Sequence, residues 1–210
     1  MTKLAIPRYP GWLRAWHWAN AVLFLVLAAT GFSMHFASPN APLIPFRSAR
    51  AAHNAAAIAI LLCYAGFLAA NARSGNWRHY ALRFRGLVGG IIRQARWYLI
   101  GIFRGDPHPF GEARAAKFNP LQRVTYLGIM YGWFPVIAVT GLFLLFPGAA
   151  PDRILGRGGI WPMAVVHALA AFAGTLFLAG HVYLATTGNP WTEYYRSMLV
   201  GDDPSPRRSR

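Results

Sequence analysis

Residues 160–186 read IWPMAVVHALAAFAGTLFLAGHVYLAT, with no Asp, Glu, Lys or Arg among them. The hydrocarbon core of a bilayer takes about 20 apolar residues as helix, so this stretch is long and apolar enough to cross one. Two histidines interrupt it, His167 and His181. At about 100° per residue, fourteen residues come within about 40° of four whole turns, so both rings project from one helix face. The same spacing separates them by about 21 Å along the axis, one near each leaflet. An ionisable side chain is costly inside hydrocarbon, and one found there marks a functional site.

Three further stretches read as spans: Trp16–Phe36, Ala51–Ala70 and Val124–Phe146, with Ile160–Thr186 the fourth. The six acids Asp106, Glu112, Asp152, Glu193, Asp202 and Asp203 all lie outside them. The composition agrees: 55% of the chain is hydrophobic and 13% charged, about half the charged share of a soluble domain. The first span is too long for a signal-peptide core and reads as an uncleaved anchor. Residues Leu87–Phe103 place apolar side chains on one helix face, with Arg93 and Arg96 on the other. Two arginines at the bilayer centre would cost ~5–7 kcal/mol, so this segment is expected to lie in the interface as an amphipathic helix.

The charge balance sets the orientation. The chain has 21 Lys and Arg against 6 Asp and Glu, a net charge of +15. With four spans both termini share a side, together with the 72–123 connection. That side holds seventeen of the basic residues, against four (Arg47, Arg50, Arg153 and Arg157) on the other. Basic loops stay in the cytoplasm, so the termini and the long connection are expected there. Cations that flank uncharged apolar runs belong to a membrane protein and not to a nucleic-acid binder, so lipid is the expected surrounding and no nucleic acid is expected as partner. The lone Cys63 excludes a disulfide framework and any Cys-based metal or cluster site. The expected fold is an all-α bundle of four transmembrane helices over residues 1–200. Its interfacial helix is cytoplasmic, and residues 201–210 form a disordered tail.

Five of the seven histidines lie in or beside the spans. His79 and His108 are read as solvated loop residues. Since spans alternate in direction, His17 at the start of the first lies at the depth of His181, and His53 at the start of the second at the depth of His167. Two imidazoles at one depth, twice, suit bis-histidine ligation of two stacked b haems. His35 is the rival for the outer position, but it adjoins the polar loop Ala37-Ser-Pro-Asn40. Gly31, Gly174 and Gly180 offer room for a flat group, although small residues also serve close helix packing. Spans one and three each carry a Thr-Gly near the outer end, Thr30-Gly31 and Thr140-Gly141. Arg14 and Arg50, each one turn before a candidate ligand, are placed to meet haem propionates. Arg14 is also an ordinary cytoplasmic-side cation, whereas Arg50 and Arg47, a further turn back, run against the charge bias, which a propionate or an anionic partner surface accounts for.

Arg14-Ala-Trp-His17-Trp18, the pair His167 and His181 with Tyr183, and Lys117-Phe-Asn119-Pro-Leu-Gln122-Arg123 together resemble bacterial di-haem membrane cytochrome b subunits. The nearest in pattern are the thiosulfate reductase cytochrome b and the formate dehydrogenase gamma subunit. The resemblance covers the chain except its tail. It implies a four-helix inner-membrane anchor in which His17 and His181 hold the cytoplasmic-side haem and His53 and His167 the periplasmic-side one. Such subunits pass electrons between a periplasmic molybdopterin or iron–sulfur oxidoreductase and quinone, menaquinone or ubiquinone. They have no substrate site of their own beyond the quinone site. The resemblance places quinone at the cytoplasmic side, by Asn119 and Gln122. Pro120-Leu121 depart from the small pair of the formate dehydrogenase version and favour the thiosulfate reductase branch. An Asn before Pro is also an ordinary helix start. A nickel–iron hydrogenase cytochrome b is the alternative within this class. A transporter fits less well, because no span carries a carboxylate. A haem-based sensor or a purely structural anchor is a further alternative, and a dithionite-minus-air difference spectrum of the purified protein separates the haem readings from the others.

Overall fold

The computed structural model describes residues 9–36, 38, 43–82, 84–110, 118–188 and 190–201. Among these residues, four helices are long and apolar enough to cross a membrane: α1 (Gly11–Phe36), α2 (Phe46–Arg73), α4 (Pro120–Leu145) and α5 (Ile160–Ala185). Between α2 and α4 lies α3 (Leu87–Arg96), continued by a π turn Trp97–Gly101 and a last turn Ile102–Arg104. A short helix α6 (Glu193–Val200) follows α5. The protein is thus the all-α membrane bundle that the apolar runs predict. Of the expected tail, Gly201 caps α6 and residues 202–210 lie outside the described residues.

Three of the spans start earlier than the apolar runs, each for a local reason. Pro10 and Pro45 give their carbonyls to the first amides of α1 and α2, and a proline at a helix start loses nothing by lacking an N–H. Asn119 opens α4 with a capping box: its side chain accepts from the Gln122 amide, 2.8 Å, and the Gln122 side chain accepts from the Asn119 amide, 3.0 Å. Within α4 a π turn, Gly128–Trp133, runs up to Pro135. That proline cannot donate to the Tyr131 carbonyl four residues back, and the wider turn absorbs the mismatch. The hairpin Arg153–Ile154 with Arg157–Gly158 turns through Leu155 at φ 50° and Gly156 at φ 75°. Both residues are left-handed, as a two-residue type I′ turn requires.

The chain forms two compact units, Met1–Phe67 with Ile137–Arg210, and Leu68–Val136. In the first, the Trp16 indole packs on Phe67 with centroids 4.4 Å apart and donates to the Cys63 carbonyl at 3.0 Å. This ties α1 to α2 near the end expected in the cytoplasm. At the other end, Ser33 and the backbone of Ile44 exchange hydrogen bonds, at 2.9 and 3.2 Å. Helix α6, which the sequence does not announce, docks on α1: Trp18 donates to the Met198 carbonyl at 3.0 Å and Arg14 to that of Leu199.

In the second unit Tyr80 stacks on Tyr126, centroids 3.6 Å apart, with Phe118 stacked on Tyr80 at 5.3 Å. Helix α3 crosses the start of α4 at Gly90, where a Cβ would come within 2.8 Å of the Pro120 ring. The face of α3 and its extension that carries Val88, Ile92, Leu99 and Phe103 is exposed, while Gly90, Gln94 and Gly101 are buried. An apolar stripe turned outward on a helix too charged to span fits a segment lying at the bilayer surface.

Candidate functional site

Helix α5 supplies one half of two facing pairs. The ring of His181 meets that of His17 on α1, centroids 6.1 Å apart and planes inclined at 53°. The ring of His167 meets that of His53 on α2, at 6.4 Å and 71°. The alternating directions of the spans, with fourteen residues between the α5 histidines, put the pairs at opposite ends of the bundle. His35 is exposed, edge-on to Phe36 at 4.7 Å, and faces no second histidine.

This donor set fits a haem. A metal–imidazole bond of about 2.0 Å on each side, plus about 1.1 Å from nitrogen to ring centre, separates two ligating rings by about 6.2 Å. The observed 6.1 and 6.4 Å straddle that spacing. The pairs are also poor sites for small hard cations, because no group of three or more His, Cys, Asp or Glu comes together among the described residues. A haem iron would need only the two neutral imidazoles of a pair from the protein, with no further protein donors.

The two pairs differ in what lies behind the rings. Thr30 Oγ1 is 2.9 Å from His53 Nδ1, and Thr140 Oγ1 is 3.1 Å from His167 Nδ1. The next residue in each case is glycine, and it touches the same ring. A Cβ at Gly31 would come 3.5 Å from the nearest atom of His53, and one at Gly141 3.1 Å from His167. The Nδ1 atom of His17, by contrast, is buried with no hydrogen-bond partner among the described residues. The threonine hydroxyls are the feature that reading by apolar spacing misses; the repeated Thr-Gly is its trace in the sequence. The glycine distances carry a graded prediction. Gly141→Ala is expected to displace His167 and lower haem occupancy, whereas Gly31→Ala, in ordinary contact, is expected to be tolerated. Haem-to-protein ratios of the two purified variants check this.

The remaining candidates are placed as follows. Arg14 is held by the Leu199 carbonyl, with its Nε buried and unpartnered among the described residues. Arg50 and Arg47 are exposed on the first turns of α2. Asn119 and Gln122 spend their carbonyl oxygens on each other's amides in the capping box, leaving their NH2 groups as donors. Asn119 and the fully buried Gln94 both lie beside the Tyr98 phenol. Burial pushes that phenol above its ordinary range, so it stays neutral and can donate. His108, read from sequence as solvated, is partly enclosed. It stacks edge-on against Trp97 at 4.6 Å and lies 3.3 Å from the Gln94 side chain, and burial lowers its pKa.

Four apolar helices with paired intramembrane histidines define a membrane cytochrome b. Residues 8–201 match the family described as prokaryotic cytochrome b561, and the chain belongs to that family. It is a multi-pass bacterial membrane protein of the haem b electron-transfer class. The chain is 40% identical over 189 residues to the protein named "Putative cytochrome YdhU" of Escherichia coli (strain K12). That match covers 90% of this chain and 71% of the relative. No solved structure matches it.

Proposed function

We propose that the protein binds two b haems, one between His17 and His181 and one between His53 and His167. On this reading it carries electrons across the inner membrane between a periplasmic molybdopterin or iron–sulfur oxidoreductase and quinone, menaquinone or ubiquinone. The observation that carries the proposal is the pair of facing imidazoles at each end of α5, both at the separation a shared metal needs. Haem iron held there would change oxidation state by one electron at a time.

The chain's own residues do the rest. The four histidines would hold the haem iron, and their positions fix which helices would surround it. Arg14, whose Nε is buried without a partner among the described residues, supplies a cation for a propionate on the cytoplasmic side. The exposed Arg47 and Arg50 run against the charge bias of their side and supply cations to a propionate or to an acidic partner surface. Quinone is taken at the cytoplasmic side, where Asn119, Gln122 and Tyr98 offer uncharged donors that suit a carbonyl oxygen.

The test is stoichiometry. A pyridine haemochrome assay on the purified protein is expected to give two non-covalent b haems per chain, since the single Cys63 provides no attachment motif. One haem or none would refute the reading. Orientation is checked separately. A reporter active only in the cytoplasm is expected to work when fused after residue 210 or inserted near Pro107, and to be silent near Asn40.

A further inference from the structure

We propose that Thr30-Gly31 and Thr140-Gly141 are matched positioning cradles that fix the tautomer of His53 and His167 and lower the reduction potential of the haem between them relative to the other. The inference rests on the two-haem reading and adds an internal direction to it.

Each threonine hydroxyl has one hydrogen. Thr30 gives its hydrogen to the Val26 carbonyl at 2.6 Å, and Thr140 gives its own to that of Ile137 at 3.1 Å. Each oxygen therefore meets its histidine as an acceptor, so Nδ1 of His53 and of His167 must carry the proton. Nε2 is left with its lone pair, available to a metal.

Threonine bonding back to its own helix is commonplace in membrane spans, and Thr175 does so to Ala171 at 3.0 Å with no histidine involved. The cradle is distinguished by what accompanies that bond. The same dipeptide stands on two different helices, its hydroxyl on Nδ1 and its missing Cβ against the ring of one member each of a facing pair. Both threonines are buried, so the contacts are shielded from water.

A hydrogen bond from Nδ1–H raises the basicity of the ligating nitrogen and so favours the higher oxidation state of the metal. The outer pair has this support on both ligands. In the inner pair the Nδ1 of His17 is buried without an acceptor among the described residues, and that imidazole is the weaker donor. The outer haem is therefore the poorer electron acceptor, and electrons at equilibrium collect at the His17–His181 end.

An optical redox titration of the purified holoprotein tests this. Two midpoints are expected, and the lower should rise in Thr30→Val Thr140→Val while the upper stays. A tenfold change in the oxidised-to-reduced ratio, about 59 mV for one electron, is the expected size. Thr30→Ser Thr140→Ser keeps both hydroxyls and should restore the lower value. Nitrogen-15 histidine NMR of the reduced protein, with its low-spin iron diamagnetic, should show protected Nδ1–H signals for His53 and His167 that weaken in the valine variant. Unmoved midpoints in a valine variant that keeps its haems overturn the proposal. If that variant sheds the outer haem, the NMR of the retained chain decides: unchanged Nδ1–H signals overturn it, and their loss supports it. A wild-type protein with fewer than two haems defeats the two-haem reading instead, and the haemochrome count shows that separately.

Discussion

His167→Ala is expected to halve the haem content of the purified protein, from the proposed two per chain to one, and to remove the lower of the two midpoints proposed for it. His181→Ala should halve it as well, but remove the upper midpoint. Each substitution would delete one of the two proposed ligands of a haem and leave the facing histidine alone in an apolar site, where one imidazole is a weak hold on the iron. The two losses should be separable because the pairs are held by different helix contacts, α1 with α5 for one and α2 with α5 for the other. His35→Ala is expected to change neither count nor potential, since its ring lies exposed against Phe36. Haem-to-protein ratios and redox titrations of the three variants check all of this. A haem lost in His35→Ala and kept in His53→Ala would reassign the outer ligand.

The pairing of histidines inside the spans was legible in the sequence because hydrocarbon makes each polar residue conspicuous. Against uninterrupted apolar runs, His167 and His181 are visible as a pair on one face, and alternation of the spans then aligns His17 and His53 with them. Nothing comparable exposes the second layer. Thr30 and Thr140 carry hydroxyls that any membrane helix can satisfy on its own backbone, so their sequence context does not say that a ring lies against them. Only the packing of α2 on α1, and of α5 on α4, brings Nδ1 within 2.9 and 3.1 Å. Arg14 teaches a related lesson. Spacing from His17 suggests a propionate partner, but it cannot foresee that α6 folds back and offers the Leu199 carbonyl to the same guanidinium. Helix α6 itself is short, carries charge and follows the sequence Gly188-Asn189-Pro190, so it lacks both the length and the apolar run by which the other helices announce themselves.

Replacing Asn119 with Asp and Gln122 with Glu together is expected to slow electron exchange with a water-soluble quinone analogue on the order of tenfold, about 1.4 kcal/mol in barrier, while leaving the haem spectrum intact. The capping box makes these the informative substitutions. In it, each side chain contributes an oxygen that accepts the other's backbone amide, at 2.8 and 3.0 Å. Aspartate and glutamate preserve those acceptors, and negative charge is welcome at a helix N-terminus, so the start of α4 should stand. What the variants lose is the two NH2 groups, the only donors these side chains have left for a carbonyl oxygen. Leucine at either position would instead remove the cap, at a cost of about 1 kcal/mol, and mix a structural effect with a functional one. Tyr98 supplies an independent arm, since its neutral phenol lies beside Asn119. Tyr98→Phe removes one hydroxyl and leaves the capping box untouched. If the acidic double variant exchanges electrons with quinone at the wild-type rate, Asn119 and Gln122 serve only to begin the helix. The quinone must then be taken elsewhere, with the periplasmic side by Arg50 as the next place to probe. If the double variant and Tyr98→Phe both slow the exchange with haem content unchanged, the donors at the head of α4 are the ones that hold the quinone.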